Sequence, residues 1–352
     1  MVNFRSNLNN SMKLIAKSLA QGVVDDYMGV EIESLPLASQ VDRSHILNMT
    51  YLCRLAYIAY EDTPLTVTKL LTSRQYFPQY SFNDIHFLDN HSSLFSQDIS
   101  PICGYTAISD QEIIVVLRGT KNIDDWLTNL LVNTDSDGIH AGFSGYANII
   151  QSQLQKLGIF PFDYTKKLVL IGHSLGGAAV TLIAHRLGCE NWRNYQAKNQ
   201  EYIEVYTFGS PPVSVKSLTI NAQLYRLRNH ADLVPYLPQL TAKILNWFPY
   251  LPSSLSDYQH QWPEYVINQN ADIHRLNQSE AQYFWNPYTI VEILRTFPKE
   301  EMDNFEHFVK ALARYYHFEH RILSYIEKLN SGSLPPWLFP SVKPQNFTLP
   351  SN

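Results

Sequence analysis

The sequence predicts an α/β fold: a mostly parallel central sheet with helices on both faces and an enlarged helical region toward the C-terminus. Three observations predict it. Short apolar, β-branched runs recur through the middle third of the chain. Helical spacing fills the intervals between them. One run, residues 167–172, passes within a few residues into a helical pattern. Strands this uniformly apolar are buried on both sides, as a parallel sheet sandwiched by helices requires.

Taken in order, residues 1–35 read as a polar, Asn-rich leader. The stretch 13–20 is interrupted by Lys17 and is too short to span a bilayer, so it reads as an amphipathic helix or mobile leader rather than a standard export signal. Between Ser44 and Tyr60, the residues Leu52, Leu55, Ala56 and Ala59 fall at i, i+3, i+4 and i+7, which predicts a helix burying one face. Strands are predicted at 112–117, 167–172 and 202–209, with a weaker one at 224–228. After Ser174, the positions Leu175, Ala178, Ala179, Leu182, Ile183 and Leu187 repeat at helical spacing.

Beyond Asp232 the character changes. Residues 239–258 are rich in Trp, Phe, Tyr, Leu and Pro, which fits an acyl groove, a membrane-docking segment or packing against the C-terminal helices. Residues 284–329 read as helical, with Phe305, Phe308, Val309, Leu312 and Tyr316 on one stripe. Several prolines make 334–352 an extended tail. No clear boundary divides the middle, so one domain over 36–333 is expected between leader and tail.

Composition excludes some functions. The net charge of -5, without a long basic run, offers no electrostatic footprint for nucleic acid. Three widely spaced cysteines form neither a disulfide framework nor a zinc motif. They suit a reducing compartment. His317 and His320 lack the spacing of a metal pair, so no metal or other cofactor is expected. With 45% hydrophobic and 17% charged residues the chain can bury a substantial core, and no apolar run is long enough to be transmembrane. Cytoplasmic residence, or secretion without a standard signal peptide, both remain open, as does the oligomeric state.

Gly172-His173-Ser174-Leu175-Gly176 has the G-x-S-x-G pattern of a nucleophile elbow. It follows an apolar strand and opens an amphipathic helix, the context this motif needs. Such a reversal forces the serine into a strained conformation, and side chains at the flanking glycines would collide with neighbouring elements. The hydroxyl is then presented beside a helix N-terminus, where backbone N–H groups can receive an oxyanion.

Around this elbow the sequence resembles the class 3 lipases of the α/β-hydrolase superfamily. Leu117-Arg118-Gly119-Thr120, followed by Asp125-Trp126-Leu127-Thr128-Asn129-Leu130, is similar to the family's R-G-[ST] segment and the stretch behind it. His140-Ala141-Gly142-Phe143 resembles its H-x-G-F, and Thr207-Phe208-Gly209-Ser210-Pro211 its T-F-G-x-P. Arg228-Asn229-His230-Ala231-Asp232-Leu233-Val234-Pro235 resembles the acid-bearing segment, and Tyr258-Gln259-His260-Gln261-Trp262-Pro263-Glu264-Tyr265 a further block.

The resemblance implies a carboxylic ester hydrolase acting on lipids, of triacylglycerol lipase or phospholipase A1 type, working through an acyl-enzyme. Ser174 would be the nucleophile and Asp232 the acid, with Thr120 and Leu175 supplying oxyanion-hole N–H groups. Residues 121–131, including Asp125 and Trp126, would form a lid or a fixed surface helix. For the base, five histidines follow Asp232: His260, His274, His307, His317 and His320. His320 is chosen because His320-Arg321-Ile322-Leu323-Ser324-Tyr325 resembles the family's closing His followed five residues on by Tyr; His317 and His307 stand as alternatives. A lipid or other ester would be the partner, met at a transient membrane or lipid-droplet interface. A lipid acyltransferase using the same triad, or a non-catalytic binding module of the same fold, are the competing readings.

Overall fold

The computed structural model describes residues 37–38, 41–90, 101–120, 134–190, 202–230, 232, 234–236, 258, 263–268, 270–276 and 320–339. The predicted leader, the lid residues Asp125 and Trp126, the stripe from Phe305 to Tyr316 and the tail beyond 339 lie outside these residues.

Eight strands form one sheet in sequential order: β1 (Asp84–Asp89), β2 (Ile102–Ile108), β3 (Glu112–Leu117), β4 (Lys167–His173), β5 (Ile203–Phe208), β6 (Gln223–Asn229), β7 (Glu264–Ile267) and β8 (Ile273–Leu276). Strands β3 to β7 run parallel, while β1–β2–β3 and β7–β8 pair antiparallel at the margins. The fold class is therefore the expected one. Four of the parallel strands, β3 to β6, are the ones predicted from the sequence, whereas β7 is not among them.

Alternation along the strands sorts the core into two layers. Val115, Leu117, Leu168, Leu170 and Val205 face one layer, which holds α3 (Ala141–Lys156) and α4 (Leu175–Glu190). Ile114, Val116, Val169, Ile171, Tyr206 and Phe208 face the other, which holds α1 (Arg43–Glu61), α2 (Pro64–Leu71) and α5 (Ile322–Leu329). Each large aliphatic side chain buried this way contributes about 1.5–3 kcal/mol of transfer free energy.

The helices start where side chains satisfy their first N–H groups. Asp42 accepts from Ser44 N–H at 2.9 Å to open α1. Thr63 caps α2, with Pro64 in the first turn. His140 Nδ1 accepts from Phe143 N–H at 3.3 Å to open α3, and its ring stacks on Phe143. The His of the H-x-G-F block is thus a helix cap here. All six positions picked for α4, from Leu175 to Leu187, are fully buried.

Helix α5 differs from the sequence expectation. The helical reading of 284–329 ran without a break, but Arg321 is extended (φ -63, ψ 141) and α5 begins only at Ile322. His320 is itself helical, and the extended Arg321 separates it from α5. Arg43 of α1 holds α5 from the other end, its Nε donating to the Leu329 carbonyl at 2.9 Å. Leu338, in the stretch read as tail, is buried, and its carbonyl accepts from Arg54 of α1.

Candidate active site

Ser174 stands at the carboxyl end of β4, between that strand and α4, with φ of 55°. This left-handed conformation is uncommon for a residue with a side chain and is held by the elbow. The elbow needs close approach: a Cβ on Gly172 would lie 2.3 Å from the Gly176 carbonyl oxygen, and one on Gly176 would lie 2.3 Å from that of Leu117. The strand and helix can pass this closely only because both residues lack side chains. Ser174 N–H donates to the Phe208 carbonyl at 2.9 Å, tying the elbow to β5.

Asp232 follows β6 in a tight turn, its N–H donating to the Asn229 carbonyl at 3.0 Å. Its carboxylate is fully buried and gathers donors from three places. Nδ1 of His320 lies 3.0 and 2.9 Å from its two oxygens, the Tyr325 hydroxyl donates to Oδ2 at 2.6 Å, and Val234 N–H donates to Oδ1 at 3.0 Å. Burial pushes this carboxyl up, but the His320 charge and the hydrogen bonds from His320, Tyr325 and Val234 together outweigh it. The group is held below the ordinary Asp range.

With Nδ1 engaged by the carboxylate, Nε2 of His320 is buried and has no hydrogen-bond partner among the described residues. The ring lies 4.6 Å, centroid to centroid, from that of His173, the residue immediately before Ser174. Gly209, at the end of β5, makes room for the pair. A Cβ there would fall 2.5 Å from Asp232 Oδ2 and 2.7 Å from His320 Nδ1, and its φ is 57°.

Thr120 ends the segment after β3, which runs directly alongside the elbow: a Cβ on Gly119 would lie 2.7 Å from Ser174 Cβ. Arg118 is fully buried, lies over the Tyr60 ring and donates from Nη1 to the Gly119 carbonyl at 2.8 Å. Because the peptide is planar and trans, fixing that carbonyl directs the Thr120 N–H the opposite way. Leu175 N–H belongs to the first residue of α4, where helix N–H groups have no intrahelical acceptor.

The structure therefore brings together Ser174, Asp232, His320, Thr120 and Leu175. Asp125, Trp126, His260, His307 and His317 lie outside the described residues. His274 is on β8, with Nε2 at 3.3 Å from Asn268 Nδ2, and takes no part in this cluster. Glu264, from the last sequence block, is buried between Arg226 and Arg228, and Tyr258 is buried near His140. Sequence reasoning missed Tyr57, on α1, and His173, whose side chains bond to each other at 2.6 Å. For Tyr57 no sequence signal was available; His173 was in view only as a variable position of the elbow. Among the described residues, no group of three or more His, Cys, Asp or Glu side chains could hold a metal ion, and no helix is long and apolar enough to cross a membrane.

The family model described as Lipase (class 3) matches residues 114–242, which contain the elbow, the Thr120 segment and Asp232. The secreted mono- and diacylglycerol lipase 1 of Fusarium solani is 27% identical over 171 residues, covering 45% of this chain and 44% of the relative. Lipase ZK262.3 of Caenorhabditis elegans is 33% identical over 155 residues, covering 40% and 42%. The chain thus spans less than half the length of these curated relatives. Among solved structures, the Rhizomucor miehei lipase propeptide complex is 19% identical, covers 73% of this chain and 81% of its own, and has a TM-score of 0.48.

Proposed function

We propose, from the match of residues 114–242 to the class 3 lipase family model, that this protein is a serine hydrolase cleaving the carboxylic ester bonds of lipids. The observation that carries the proposal is the His320 imidazole. Its Nδ1 is held by the buried Asp232 carboxylate and its Nε2 has no hydrogen-bond partner among the described residues, beside the residue that precedes Ser174.

In this reading Nε2 of His320 takes the Ser174 proton as Oγ attacks the ester carbonyl carbon. Asp232 keeps the imidazole in the tautomer with Nδ1 protonated and stabilises the imidazolium that forms. The carbonyl π electrons move onto oxygen, and the N–H groups of Thr120 and Leu175 receive that oxyanion. One such donor is typically worth about 3–4 kcal/mol of barrier. The tetrahedral centre collapses, expelling the alkoxide, which takes the proton from His320. Water, deprotonated by the same Nε2, then attacks the acyl-enzyme and releases the carboxylic acid and Ser174. An acyltransferase would run the same steps with an alcohol in place of that water.

Acylglycerols are the proposed substrate class. A named mono- and diacylglycerol lipase among the relatives supports this, and phospholipase A1 activity is the finer alternative. The test is a panel of mono-, di- and triacylglycerols and phosphatidylcholine presented in mixed micelles to purified protein, with fatty acid release followed by titration. Release from acylglycerols, abolished in Ser174→Ala, is expected. Release from phosphatidylcholine alone would move the assignment to phospholipase, and release from none would reject the lipid reading.

A further inference from the structure

Tyr57 lies on α1, on the opposite face of the sheet from α4, yet its hydroxyl joins three parts of the site. Its oxygen accepts from Gly119 N–H at 2.9 Å and stands 2.6 Å from Nδ1 of His173. The far side of the His173 ring meets the main-chain carbonyl of His320 through Nε2.

The proton positions follow by elimination. A carbonyl oxygen only accepts, so Nε2 of His173 carries a hydrogen; in the neutral imidazole Nδ1 is then the acceptor, and the Tyr57 hydroxyl donates to it. Burial raises the Tyr57 phenol well above its ordinary value, so the hydroxyl keeps the proton it must donate. The result is one directed series: Gly119 N–H to Tyr57, Tyr57 O–H to His173, His173 N–H to the His320 carbonyl. Bonds in such a series polarise and strengthen one another.

Each end of the series meets a group that the ester-cleaving reading uses. At one end Tyr57 holds the Gly119 N–H and Arg118 holds the Gly119 carbonyl, so the peptide carrying the Thr120 N–H and the peptide before it are each held at one point. At the other end the main chain of His320 is held, while its side chain is held by Asp232. Between them the series passes through the residue next to Ser174. We propose that Tyr57 and His173 are positioning residues, which set the oxyanion peptide and the general base at a fixed spacing about Ser174 and act through Thr120 and His320. This inference rests on the Ser174–His320–Asp232 reading of the site.

Ring packing alone is the competing account, since Tyr57 and His173 also meet edge-on at 5.7 Å between centroids. Tyr57→Phe keeps the packing and removes only the hydroxyl. The experiment measures kcat and KM on 4-nitrophenyl butyrate for the wild type, Tyr57→Phe, His173→Leu, the double variant and His173→Gln, with near-ultraviolet circular dichroism to confirm folding. Because misplacement of catalytic groups costs up to about 100-fold, kcat should fall by roughly 10- to 100-fold in each of the first two variants, with KM within about twofold. The double variant should lose no more than the worse single, because both cut the same series. His173→Gln, which offers both a donor and an acceptor, should recover part of the loss. Wild-type kcat in Tyr57→Phe, or multiplying losses in the double variant, would overturn the proposal.

A readout independent of any variant's folding comes from the wild type. Nitrogen-15 shifts of labelled histidine should show His173 as the neutral tautomer protonated on Nε2, and protonation on Nδ1 would equally overturn the series. If the wild type neither hydrolyses 4-nitrophenyl butyrate nor reacts with a fluorophosphonate, it is the triad reading that fails; the tautomer still decides the series.

Discussion

The Tyr325 hydroxyl donates to Oδ2 of Asp232 across 2.6 Å, on the same carboxylate that holds His320. Tyr325 lies in α5, one turn beyond the extended Arg321, so the short helix that follows His320 also supports the Asp232 carboxylate. A buried hydrogen bond to a charged group is worth about 1.5–3 kcal/mol. Tyr325→Phe should therefore lower the free energy of urea unfolding by roughly that amount, about 1.5–3 kcal/mol. Unchanged stability would mean that the carboxylate does not depend on this donor.

The same carboxylate predicts how stability responds to acid. Its folded value is depressed relative to the unfolded chain, so the ionised form stabilises the fold. That contribution is complete above the unfolded Asp value of about 3.9 and fades as pH falls through the lower folded value. The stability difference between wild type and Asp232→Asn should hold steady from about pH 6 to 5 and shrink below about pH 4. A difference that stays constant down to pH 3 would contradict the depressed value.

Gly209→Ala tests the space around the pair. The new methyl would fall 2.5 Å from Asp232 Oδ2 and 2.7 Å from His320 Nδ1, on a backbone with φ of 57°. The left-handed backbone costs about 1–2 kcal/mol, and displacing the imidazole by an ångström costs about 100-fold in rate. Hydrolysis of 4-nitrophenyl butyrate should fall by about that factor of 100, and wild-type turnover would show that the pair can shift without loss.

The choice among histidines is tested by His320→Ala beside His317→Ala and His307→Ala. Only the first should lose activity by roughly 10⁴-fold, as removal of a triad member does. Full esterase turnover in His320→Ala would place the base elsewhere.

Much of the fold was legible because the central strands are buried on both faces. Residues 112–117 and 167–173 carry nothing polar inside them to mask the pattern. The marginal strands were not read, for definite reasons. β1 and β2 contain Asp84, His86 and Gly104, which resemble turn or surface positions. β7 begins with Glu264, a charge that can be buried only because Arg226 and Arg228 from the next strand neutralise it. Such pairing is invisible in a linear pattern.

The site divides in the same way. Ser174 stands in a local motif whose spacing follows from a turn, and Asp232 was reached through the resemblance of residues 228–235 to a family segment, so both could be named from the sequence. The break before α5 has no Gly or Pro to mark it, since Arg321 adopts an extended conformation open to any residue. Tyr57 and His173 meet across 116 positions of sequence, and only the packing of α1 on the sheet brings them together.

The central claim is that Ser174 is an activated nucleophile. The most direct measurement is intact-mass analysis, with peptide mapping, after exposure to a fluorophosphonate in mixed micelles. The account predicts one adduct, mapped to Ser174, absent in Ser174→Ala and strongly slowed in His320→Ala. Labelling that survives Ser174→Ala, or that proceeds at the wild-type rate in His320→Ala, would contradict it.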